Sequence, residues 1–173
     1  APTWLIEAGR KDGAKTPEVL MTSWADWHGG EVVSRAQLNG VNEFNLAILE
    51  RRVRRLVERT IMLAKQHGPG VYPGAVVNLI GDFISGGLHP ELAKTDEEDV
   101  LPAAVRIADI MLWGLTQMAD AFGHVYAPAV CGNHGRATPK PEFKDYIYKN
   151  FDWLIYQMIE KRLQDRGETR VQI

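Results

Sequence analysis

Apolar and polar positions follow two rhythms along this chain. From Asn42 to His67, NEFNLAILERRVRRLVERTIMLAKQH carries Leu46, Leu49, Val53, Leu56, Val57, Ile61 and Ala64 at helical spacing, and Gly68-Pro69-Gly70 predicts the stop. A second helix is expected over TDEEDVLPAAVRIADIMLWGLTQMADAFG, residues 95–123. Thr95 and Glu98 form a capping-box pattern there, Pro102 falls in the first turn and Gly123 closes the segment. A third is expected within YKNFDWLIYQMIEKRLQDRGE, residues 148–168, with Phe151, Leu154, Ile155, Met158 and Leu163 on one side. Between them lie short apolar runs that read as strands: EVLMTSWAD (18–26), GAVVNLIGD (74–82) and HVYAPAVCGNHG (124–135), the last including its exit. TRVQI (169–173) looks like the start of another.

Strand and helix alternate, which predicts an α/β fold. A mostly parallel sheet with right-handed crossovers would carry helices on its faces. The chain has 173 residues, 45% hydrophobic and 24% charged, as expected of one folded domain with a core. A formal net charge of -2 excludes nucleic-acid binding by bulk electrostatics, although a local basic patch stays open. Arg51, Arg52, Arg54 and Arg55 interleave with the apolar stripe and neighbour Glu50 and Glu58, so a solvated helix face is expected. No apolar run approaches the roughly 20 residues of a membrane helix. With a single cysteine and no signal organisation at the N-terminus, a cytoplasmic protein is expected.

The chemistry gathers where the strands end. Loops at the carboxyl ends of parallel strands converge on one edge of a sheet. The first strand delivers Asp26 and His28, the second Gly81-Asp82, and the third Gly132-Asn133-His134. Carboxylate, amide and imidazole donors suit borderline divalent cations such as Mn, Fe or Zn. Glycines beside them let the backbone come close. Arg136, next to the last cluster, is a candidate for holding a phosphate oxygen, with a surface role as the alternative. Cys131 is expected to be a small buried hydrophobe, not a nucleophile. Trp24, Trp27 and Trp153 are expected in packing rather than in stacking a base. His89 belongs to a helix start or lines the crevice, and His67 and His124 carry no expected function.

These motifs resemble the calcineurin-like metallophosphoesterase superfamily. ADWHGG, LIGDFISGG and VCGNHGR correspond in order and spacing to its D-x-H, G-D and G-N-H segments. GDFISGGLHPEL, GNHGR and NFDWLIY are similar to its phage and prophage members. The resemblance spans about residues 18–166 and implies the first half of an αββα sandwich. It implies that Asp26 and His28 hold one divalent metal, that Asp82 bridges two, and that Asn133 holds the second. His134 would contact the phosphate and protonate the leaving alkoxide. The implied cofactors are two divalent ions, with Mn foremost and Fe, Zn or Mg as alternatives. The implied partner is a phosphate ester, a nucleotide or nucleic acid among the options, met in the host cytoplasm if a phage encodes the chain.

The pattern also breaks. The five histidines stand at 28, 67, 89, 124 and 134, and neither a later histidine nor a G-H-x-H segment follows. The expectation is therefore the N-terminal portion of a metallophosphoesterase domain. The alternatives are a complete protein with one weak metal site, or a non-catalytic binding or assembly module. Gly135 stands where many relatives carry an acidic residue, and Phe83, Ile84 and Ser85 replace the aspartate often found after G-D.

Overall fold

The computed structural model describes residues 1–7, 18–68, 71–86 and 96–173. A short helix α1 (Thr3–Glu7) precedes β1 (Leu20–Trp24), α2 (Leu46–His67), β2 (Ala75–Leu79), α3 (Val100–Phe122), β3 (Val125–Tyr126), α4 (Phe151–Asp165) and β4 (Val171–Gln172). The four strands form one sheet in the order β1-β2-β3-β4, and every pairing is parallel. The chain thus adopts the α/β fold with a parallel sheet and flanking helices.

Strand order decides where the helices go. Each crossover steps to the next strand in the same direction, so right-handed connections place every helix on the same face. The core bears this out: Trp24, Ala75, Val77, Leu79, Val125 and Val171 on the strands share one cluster with residues of all three long helices. Among the described residues the three long helices all pack on this one face. On the opposite face Met21, Ile80 and Val130 are exposed.

Local chemistry sets the element bounds. Helix α2 starts at Leu46 rather than at Asn42 because the Asn45 side chain accepts from the Ile48 amide at 2.9 Å and fixes the cap. The stretch before it instead pairs Phe44 with Val33 across an antiparallel bridge. Helix α3 begins at Val100, later than expected, with Asp99 at its cap. Thr95, half of the expected capping box, lies outside the described residues. Gly123 ends α3 at φ +82°. At Gly114 a β-carbon would strike the Trp24 ring, so a glycine there lets the indole seat against the helix. Strand β3 is only two residues long because Pro128 has no amide to donate, but its carbonyl accepts from Leu79 and Val130 then donates to the Leu79 carbonyl. The third expected run therefore continues beside β2 without being regular strand. Helix α4 is shorter than the expected 148–168, starting after the Asn150 cap and ending before Gly167.

The arginines of α2 behave as a solvated face. Arg54 pairs with Glu50 at 2.7 Å and lies 4.3 Å over the Trp113 ring, while Arg52 donates to Asn42. Trp24 and Trp27 are buried, 5.6 Å apart between ring centroids, and Trp27 meets Phe83 edge-on at 4.9 Å. Trp153 packs edge-on against Tyr148 at 5.5 Å. Among the described residues no helix is long and apolar enough to cross a membrane.

Candidate functional site

Beyond the last regular pairs, the loops leaving β1 and β2 stay zipped together. Asp26 donates its amide to the Gly81 carbonyl at 3.2 Å, His28 to Asp82 at 3.1 Å and Gly29 to Phe83 at 2.9 Å, and Ser85 returns a bond to Gly29 at 3.0 Å. The two loops thus continue the parallel ladder past the sheet edge. Phe83, Ile84 and Ser85 are all buried and anchor this extension in the core.

Three of the site residues sit in the left-handed region: Asp26 at φ 54°, His28 at 45° and Asp82 at 54°. For a residue with a β-carbon that conformation costs on the order of 1–3 kcal/mol, and such strain persists where surrounding bonds over-determine it. The zipped loops supply those bonds. Asp26 keeps 73% of its side chain exposed and His28 28%, with Asp26 Oδ1 3.8 Å from His28 Nε2, beyond hydrogen-bond reach.

The third loop closes from the other side. Asp82 Oδ1 accepts the His134 amide at 2.6 Å. The His134 ring stands edge-on to His28, with centroids 4.6 Å apart. Backbones touch so closely here that a β-carbon on Gly132 would overlap the Asp82 amide and carboxylate, and one on Gly81 would overlap the Gly132 amide. Asp26, His28, Asp82 and His134 are therefore joined through direct contacts, and Asn133 is carried between Gly132 and His134. Their donors fit a borderline divalent cation in type, with carboxylate, imidazole and amide at one solvent-open edge. Among the described residues no three His, Cys, Asp or Glu side chains close into a cage around one point.

Arg136, the candidate phosphate ligand, spends its guanidinium on its own loop. It donates to the carbonyls of Asn133 at 2.7 Å, Thr138 at 3.1 Å and Pro139 at 3.4 Å. It braces the loop that carries Asn133. His89 lies outside the described residues. Cys131 is half-buried, and burial together with the negative charge of Asp152 pushes its thiol up to about 11.

Sequence reasoning missed Asp152. Its side chain has no exposed surface, and it accepts the amides of Asp82 at 3.0 Å, Phe83 at 3.1 Å and Gly132 at 2.9 Å. One carboxylate at the start of α4 thereby ties the second and third loops together. Burial raises its pKa above the ordinary aspartate value, against the pull of the three amides. Asn150 completes the clamp: its Nδ2 donates to the Gly132 carbonyl at 2.8 Å and its Oδ1 accepts the Asp152 amide at 2.8 Å. Tyr156 donates its hydroxyl to the Val130 carbonyl at 2.8 Å from the same helix.

This clamp also accounts for Gly135. A β-carbon there would meet Asn150 Oδ1 at 2.5 Å and the Asp152 carboxylate at 3.2 Å. An acidic side chain at 135 would collide with the carboxylate α4 brings to the same place. The visible signal was the pair Asn150 and Asp152 at a helix start, which alone reads as an ordinary cap.

Compared with protein-family models, with curated proteins and with solved structures, the chain matches none.

Proposed function

We propose that this chain is a metal-dependent phosphoesterase domain, or the metal-binding portion of one, acting on phosphate mono- or diesters. The observation that carries the reading is the meeting of the D-x-H, G-D and G-N-H segments at one sheet edge, with the Asp82 carboxylate bonded to the His134 amide and the first two loops paired along their backbones. Asp26 and His28 would hold one divalent cation, Asp82 would serve two, and Asn133 would hold the second. Bound cations of this kind lower the pKa of water and offset charge on phosphate oxygens. The chain's own residues set the rest. Asp152 ties the second and third loops together, the paired loops hold Asp26, His28 and Asp82 in their left-handed backbone, and His134 is the group to hand a proton to the leaving oxygen.

Hydrolysis of bis(p-nitrophenyl) phosphate with and without Mn²⁺ tests this. Mn²⁺-dependent turnover that Asp82→Asn lowers at least about hundredfold is expected, as for loss of a group acting in the transition state. Turnover indifferent to that substitution refutes the assignment. The second reading is a metal-binding module without catalysis. Cation binding without turnover is its signature.

A further inference from the structure

Beside Asn133 a cavity of about 300 Å³ opens that the cation ligands leave unused. Asn133, Arg136, Phe143, Tyr146, Lys149 and Asn150 line it. Its exposed lining is predominantly apolar. The volume is at the small end of ligand pockets, room for one compact flat group.

Its outer wall is unusual for a free surface. Phe143 is 98% exposed and Tyr146 49%. Single exposed apolar residues need no explanation, but two exposed aromatics on one wall of a cavity suit a flat ligand group. The charged residues suit an electron-rich ring. Arg136 lines the cavity with its guanidinium fixed by three carbonyl bonds, and Lys149 lines it too, in an ion pair with Glu142. Two cations against one carboxylate leave the wall net positive. Asn133 belongs both to this wall and to the proposed cation edge. A phosphate ester held at that edge therefore has the cavity as the adjoining place for its organic group.

We propose that the cavity takes the base of a nucleoside phosphate or of a single-stranded nucleic-acid end. Aromatic faces and a cationic plane stack any base without reading its sequence. An apolar, compact cavity lacks the line of backbone donors and acceptors that an extended phosphopeptide requires. This inference rests on the phosphoesterase reading for where the phosphate lies, and on the cavity itself for the base.

Titrating the full chain, with and without Mn²⁺, with adenosine 5′-monophosphate, adenosine and glycerol 2-phosphate tests it. Binding is read by NMR of the aromatic resonances. Adenosine monophosphate should bind roughly tenfold more tightly than glycerol phosphate, as expected from stacking one base, and should shift Phe143 and Tyr146. In the double variant Phe143→Ala/Tyr146→Ala that preference should fall toward one, while Phe143→Trp should keep it. Phe143 is nearly fully exposed, so both proteins should show the wild-type melting curve. Equal affinity for the two phosphates in the wild-type chain overturns the inference, as does a preference that survives the double substitution. Adenosine reads the cavity without a phosphate. Shifts of Phe143 by adenosine in a chain that hydrolyses nothing keep the cavity assignment and remove the phosphoesterase reading. Hydrolysis with no response to adenosine does the reverse.

Discussion

Among the described residues Asp152 forms no ion pair, yet its carboxylate is buried among three backbone amides donated by two different loops. Replacing it by alanine leaves one buried and two part-buried donors unsatisfied, and each such loss costs about 1–3 kcal/mol. Asp152→Ala should therefore lower stability by at least about 3 kcal/mol in urea unfolding. Asp152→Asn keeps the shape but sets amide hydrogens against some of the same donors. Its backbone amides at 82, 83 and 132 should exchange with solvent faster than in the wild-type chain, read by hydrogen exchange without metal. Unchanged protection at all three would show that the carboxylate is not what orders the loops. Cys131 offers a pH test beside it. Burial disfavours the thiolate, so the thiol stays protonated until about pH 11. Alkylation by iodoacetamide in metal-free protein should be slow at pH 8 relative to a free cysteine of pKa near 8.5 and should rise through about pH 11. Fast alkylation at pH 8 would contradict the burial of this sulfur.

At the scale of elements, the site exists because strand ends are extended by loops that keep pairing. The tightest point is Gly132 against Asp82. Backbone and carboxylate there have no free side-chain end to swing away. Gly132→Ala should cost about 1–3 kcal/mol by overpacking and should reduce Mn²⁺-dependent hydrolysis together with stability. A fully active Gly132→Ala protein would mean that the close approach is dispensable. Much of this was legible in the chain. Apolar runs ending in Gly-Asp or Gly-Asn-His announced both the strands and the edge at which their loops meet. The helix of residues 46–67 was plain from its stripe, although its start was placed four residues early because the Asn45 cap competes with a periodic pattern. Pro128 shortened the third strand in a way that composition alone does not measure. Asp152 stayed hidden because its partners lie 20 and 70 residues away, and no local pattern encodes a contact of that kind.

At the scale of the whole molecule, four strands in sequential order put one helical layer on one face of the sheet and gather the loops at one edge. The fold thereby separates tasks. Helices α2, α3 and α4 supply the core, and the carboxyl edge of the sheet is free to carry strained, polar, solvent-open residues. Net charge plays little part, so a nucleotide would be attracted locally by bound cations and by the cavity wall beside Asn133. The proposed chemistry requires Asp26, His28, Asp82 and Asn133 to bind cations together. Electron paramagnetic resonance of Mn²⁺ titrated into the chain reads this without any substrate. The expected result is saturable loss of the free-ion signal, weakened at least about tenfold by Asp82→Asn and by Asp26→Asn, since even groups behind the ligands change affinity by that much. A wild-type chain that leaves the free-ion signal untouched, or variants that bind Mn²⁺ as the wild type does, would contradict it.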